Sequence, residues 1–106
     1  MWWHYLVAIP AALLLTNGIP HFVQGITGKQ HPSPFSGGPP NLDSAVRNVW
    51  WGGGNLIVGG VLLWLIHAGL GNGFLAAEMV VLSLAFATML ALVFGSPERF
   101  ARRRKG

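Results

Sequence analysis

The chain has no cysteine, and only 9% of its residues are charged. The first absence removes disulfides, thiolate metal sites and cysteine nucleophiles from consideration, and leaves the redox compartment unmarked. The second is more telling. Soluble domains carry roughly 25% charged residues, and a chain of 106 residues has a large surface for its volume. With 52% apolar residues, most of that surface must meet lipid or other protein. No glycine-rich phosphate loop, serine-centred elbow, HExxH pair or carboxylate dyad occurs, so the residues do not point to an enzyme.

What is present is long apolar runs. From Trp50 to Phe94 the only formal charge is Glu78, and the only obvious break is Gly69 to Gly73. Each half supplies about 20 apolar residues, enough for a helix rising 1.5 Å per residue to cross a core of about 30 Å. A further run begins at Trp2 and extends toward Ile19. It lacks a basic leader and a small-x-small cleavage pattern, and reads as a retained first helix. Pro10 should kink it, and Asn17, Gly18 and Pro20 should end it.

The expected fold is therefore an all-α integral membrane protein of a single membrane domain, residues 1–106. Three helices span the bilayer at about 2–19, 42–68 and 74–94. The alternative is four segments, with a short re-entrant piece formed by 20–27. Residues 20–40 are rich in proline and glycine but keep Phe22, Val23, Ile26 and Phe35, which favours an ordered loop folded back on the helices. Asn41 or Asp43 is the expected cap of the second helix. The tight turn at Gly69–Gly73 should make helices two and three antiparallel neighbours. Gly95 and Ser96 should end the third, followed by a short surface helix from Ser96 and Pro97.

The charge is unevenly spread. Lys29, Asp43, Arg47 and Glu78 cancel, whereas Glu98 with Arg99, Arg102, Arg103, Arg104 and Lys105 accounts for the whole net charge of +4. No folded basic surface or aromatic platform accompanies this tail, so nucleic acid is not an expected partner. The tail reads instead as an anchor on anionic lipid. The positive-inside rule then places it, and the 20–40 loop, in the cytoplasm of a cell (plasma or inner) membrane, with the N-terminus outside. Trp2, Trp3, Trp50 and Trp51 are the expected interfacial markers.

Small residues suggest how the helices pack. Ser83, Ala87, Ala91 and Gly95 recur at every fourth position, while Gly52 with Gly59 and Gly53 with Gly60 recur at a spacing of seven. Such rows let helix backbones approach closely in lipid. Intramembrane polar candidates are few. His67 and Glu78 flank the turn and would meet on facing helices; Asn55 would bond a neighbouring helix or the loop. His21 and His31, with Asp43, are weak metal candidates, and His67 or His21 a weak haem or pigment ligand. Three functions follow as expectations. The first is an accessory or stabilising subunit of a larger complex, or a homo-oligomer, acting through helix packing on other membrane helices. The second is a homo-oligomeric channel or small-solute or proton transporter using Asn55, His67 and Glu78. The third is a haem- or metal-holding redox subunit.

Overall fold

A computed structural model describes the backbone of residues 1–105 and the side chains of residues 1–95. The protein consists of α1 (Trp3–Ile26), α2 (Ala45–Ile66) and α3 (Gly73–Lys105), with 3-10 turns at Pro34–Ser36 and His67–Gly69. Three stretches, Trp3–Ile26, Ala45–Gly69 and Gly73–Gly95, are long and apolar enough to cross a membrane. The all-helical class and the number of apolar spans thus agree with the sequence reading.

The first correction concerns Pro20, which lies inside α1 and does not end it. A proline removes one backbone donor, but its fixed φ is helical, and an apolar helix packed on neighbours tolerates the loss. The residues assigned to a possible re-entrant piece therefore extend α1 by nearly two turns. It stops at a Schellman arrangement: Gly28 adopts φ +76°, so that Lys29 N–H reaches Gln24 O at 2.9 Å and Gly28 N–H reaches Gly25 O at 3.0 Å.

The helix neighbours are also not those expected from the turn. α1 packs along α2 and, more sparsely, along α3, whereas α2 and α3 barely touch. The arrangement is a row with α1 in the middle. The turn connecting α2 to α3 passes over the N-terminal end of α1. Ala8, Ile66 and Leu75 form the buried cluster there, with Trp3, Tyr5, Leu63 and Met79 packed around it. Asn72 Nδ2 donates to Tyr5 Oη at 2.8 Å, and Asn72 Oδ1 accepts from Phe74 N–H at 2.9 Å, capping α3. Trp3 is thus part of this cluster, while Trp2 is exposed.

Two further boundaries differ. Ser44, not Asn41 or Asp43, caps α2, its hydroxyl accepting from Arg47 N–H at 3.1 Å. The expected stop at Gly95 and Ser96 does not occur, because α3 continues without a break to Lys105. The side chains of Arg99, Arg102, Arg103, Arg104 and Lys105, expected as anchors, lie outside the described residues.

Candidate functional site

The α1–α2 contact is built from glycines. A Cβ added to Gly18 would lie 2.8 Å from Gly52 O, and one on Gly25 would lie 2.7 Å from Ala45 O; one on Gly52 would collide with the backbone of Phe22. Gly59 receives Leu15, whose backbone nitrogen would stand 3.0 Å from an added Cβ. With no side chain intervening, the two backbones approach closely enough for short polar side chains to reach across. Of the other small residues singled out in the sequence, Gly53 meets only the Phe22 ring at 3.8 Å and Gly60 faces open space. Ser83 and Gly95 are half-buried on α3, while Ala87 and Ala91 are exposed.

Two polar links cross this seam. In the middle, Asn17 Nδ2 donates to Asn55 Oδ1 at 3.2 Å, and Asn55 Nδ2 donates to Trp51 O at 2.7 Å. Asn55 therefore bonds α1 and its own helix, not the loop. Nearer the loop, buried Asn48 occupies a central position. Its Nδ2 donates to His31 O at 2.8 Å and Ser44 O at 3.0 Å, and its Oδ1 lies 2.7 Å from His21 Nδ1. Both carbonyls can only accept, so the amide orientation is fixed by its surroundings. Because Oδ1 is then an acceptor, His21 Nδ1 carries the proton and donates. Nε2 of His21 is then the acceptor nitrogen of the ring.

The loop closes over this end. His31 and Asp43 exchange backbone hydrogen bonds at 3.2 and 3.0 Å. Asp43 is buried and fully engaged: Oδ2 accepts from Ser33 Oγ at 2.6 Å, Oδ1 from Ser44 N–H at 2.8 Å, and Arg47 lies 3.6 Å away. The Ser33 hydroxyl, with help from Ser44 N–H and the Arg47 cation, outweighs burial and holds the Asp43 carboxyl below its ordinary value. These contacts bring the His31 ring to 5.0 Å from His21, edge to face. Phe94 of α3 completes the group, 6.0 Å from His21 and 4.6 Å from His31. Burial, and the charge that His21 would carry, push the His31 imidazole below its ordinary value.

Between loop and helices lies a cleft of about 180 Å³, lined by Asn17, His21, Ser33, Trp51 and Phe94 together with Pro32, Pro34, Gly38 and Pro39. His31 Nε2 and Trp51 Nε1 are buried without hydrogen-bond partners. The two histidines singled out in the sequence are thus brought together, but Asp43 is committed elsewhere. Among the described residues no group of three His, Cys, Asp or Glu side chains could hold a metal ion.

The other polar candidates stay apart. The His67 ring stacks on Trp64 with centroids 5.7 Å apart, and its Nδ1 donates to Trp64 O. Glu78 lies half-buried on α3, with Oε2 buried and unpartnered. No hydrogen bond or ion pair joins them, because the helices that carry them are separated by α1. Trp50 is 77% exposed beside Phe35, Arg47 and Trp51.

Asn48, Asn17, Ser33 and the indole N–H of Trp51 were not among the candidates drawn from the sequence. A signal existed for the first. Asn48, Gly52, Asn55 and Gly59 alternate at steps of four, three and four, the period of one helix face. Comparison with family models, curated proteins and solved structures finds no match to this chain.

Proposed function

We propose that this chain works through helix packing in a cell membrane, as an accessory or stabilising subunit of a larger complex or as a homo-oligomer. The observation that carries this reading is the isolation of α3. Among the helices it packs mainly on α1, and sparsely, and no residue in its most apolar stretch is buried. Ser83, Ala87, Ala91 and Gly95 run along this sparsely covered helix, and rows of small residues are the usual means of close helix contact in lipid. Val80, Val81, Leu84 and Leu92 lie exposed on the same helix.

The loop and the Phe94 end of α3 share one end of the molecule, and the N-terminus and the α2–α3 turn share the other. The basic residues after Phe94 orient the loop end toward the cytoplasm by the positive-inside rule. Exposed Trp50 at this end and Trp2 and Trp64 at the other suit interfacial belts. A channel built on Asn55, His67 and Glu78 gains no support, since the three side chains have different surroundings on different faces.

The test is the mass and composition of the complex purified in mild detergent. Co-purifying unrelated chains or a defined homo-oligomer is expected, and replacing both Ala87 and Ala91 by leucine should weaken that association at least several-fold. A monodisperse monomer from native membranes, or assembly indifferent to the double substitution, would overturn the reading.

A further inference from the structure

The cleft between the loop and the helices has properties that helix packing does not require. Its walls are rings: Pro32, Pro34, Pro39, Trp51 and Phe94. Among the described residues no carboxylate, lysine or arginine lines it, so a charged guest finds no counter-charge among them. Of the polar groups on its margin, the Trp51 indole N–H is buried without a partner, whereas two others are already used. The Ser33 hydroxyl donates to Asp43 and accepts from Phe35 N–H, and the Asn17 amide donates to Asn55. His21 is different. Its residue is 1% exposed, its Nδ1–H is committed to Asn48, and the opposite edge of the ring offers the lone pair of Nε2.

The polarity of recognition follows. An imidazole locked in the Nδ1–H tautomer accepts at Nε2, and the unpartnered Trp51 indole N–H can only donate, so the complementary group both donates and accepts, as a hydroxyl does. The size follows independently. An apolar cavity of about 150 Å³ binds benzene in a well-studied case, and about 180 Å³ here leaves room for one ring and one substituent. Apolar walls with few placed polar groups are the usual character of small-molecule sites. A buried donor left unpaired, as the Trp51 indole N–H is, destabilises, and a ligand hydroxyl oxygen relieves that.

We propose that this cleft binds a single neutral aromatic ring bearing a hydroxyl, a phenol-type ligand whose O–H donates to His21 Nε2 while its ring packs among the prolines, Trp51 and Phe94. Asn48 acts as the positioning residue, holding the His21 tautomer and, through His31 O, the loop that roofs the cleft. The site is separate from the outward face of α3, so it stands whether or not the chain proves to be a subunit of a larger assembly.

The experiment uses the full chain in nanodiscs of zwitterionic lipid, titrated with phenol, anisole, toluene and cyclohexanol. Tryptophan fluorescence reads occupancy, and 15N NMR of histidine reads the Nε2 resonance. Saturable phenol binding with an upfield shift of the His21 Nε2 signal is expected. Anisole and toluene, which cannot donate, should bind about tenfold more weakly, the scale of one net hydrogen bond. His21→Phe should erase the difference between phenol and anisole; should that variant not fold, the ligand series on the unaltered chain decides alone. Phenol with no saturable binding, meaning that only water occupies the cleft, would overturn the proposal, as would equal binding of phenol, anisole and toluene. Cyclohexanol binding as well as phenol would remove the aromatic requirement and overturn it in that form. A long-chain 4-alkylphenol delivered in the bilayer separates the sources. Tighter binding at equal membrane concentration identifies a lipid-borne ring, and equal binding identifies a free one; both support the site.

Discussion

The two faces of α1 solve the packing problem differently. Toward α2 it presents Gly18, His21 and Gly25, receives Gly52 and Gly59, and locks the contact with amide and imidazole hydrogen bonds. Toward α3 it offers an apolar cluster at one end, Ala8 with Leu75, and ring contacts to Phe94 at the other. In lipid the hydrophobic effect does not drive helices together, so association depends on close backbone approach and on polar groups that find partners. The α2 face has both. The α3 face has little of either along its middle, and that is why α3 is left with an uncovered surface.

This contrast can be broken most severely at Gly52. Its missing side chain is replaced by the Phe22 backbone, which cannot swing aside, so Gly52→Leu should destabilise the chain by about 3 kcal/mol or more. Gly60→Leu, facing open space, should stay within about 0.5 kcal/mol. Unfolding in mixed micelles, followed by tryptophan fluorescence, measures both; equal effects would mean that the seam is not where the stability resides. Next in size is Asn48→Leu, which strands the buried His21 Nδ1–H and removes one of the two hydrogen bonds that the His31 carbonyl accepts, leaving the one from Asp43 N–H. A buried orphan of this kind destabilises by roughly 1–3 kcal/mol. Asn55→Leu should do less, since interhelical polar links in membrane proteins average about 0.6 kcal/mol. If the two substitutions rank in the opposite order, the loop-side link is not the dominant one.

Acid offers a gentler probe of the same end. The His31 ring lies against His21 of α1 and Phe94 of α3, and its backbone pairs with Asp43 in the loop and accepts from Asn48 of α2. Its imidazole is held below 6.5 by burial and then by the charge His21 would carry, so the unfolded chain takes up the proton first. That contribution is complete above about 6.5 and is lost as pH falls through the folded value. Asp43 has the same sign at lower pH: its carboxyl is held below 3.8 chiefly by Ser33, and its contribution disappears as pH falls through that lowered value. Hydrogen exchange of residues 27–44 should therefore rise below about pH 6.5, while the α2–α3 turn is unchanged. His31→Gln should remove the upper phase and keep the one due to Asp43. The smallest expected effect is Ala87→Leu on the unfolding of the isolated chain, within about 0.5 kcal/mol because Ala87 is exposed; a larger loss would show that α3 is held on a face not seen here.

Much of the frame was legible from residues alone. Length and apolarity pick out each helix long and apolar enough to cross a membrane, because a bilayer of set thickness asks one dimension of all such helices. The seven-residue spacing of Gly52 and Gly59 marks a face because helix geometry is local. Pro20 misled for a related reason: its effect on an isolated helix is disruptive, but its effect inside a packed apolar bundle depends on neighbours. The row order was equally hidden. A short turn between α2 and α3 suggests contact, yet the glycines of α2 are matched by glycines of α1, and the turn instead passes over the N-terminal end of α1. His67 and Glu78, near each other along the chain, end on helices separated by α1. His21 and His31, counted as a weak metal pair, come together through Asn48, whose importance lies in three partners distant in sequence.

By itself the sequence determined that this is a chain of three long apolar helices with little charge and a basic end, because span length and composition are read against a bilayer of set thickness. Tertiary structure alone decided which glycines meet backbone and which meet nothing, which nitrogen of His21 keeps its proton, and that a loop of prolines roofs a cleft beside it. Those outcomes depend on ångström-scale approach between segments that have no fixed relation along the chain.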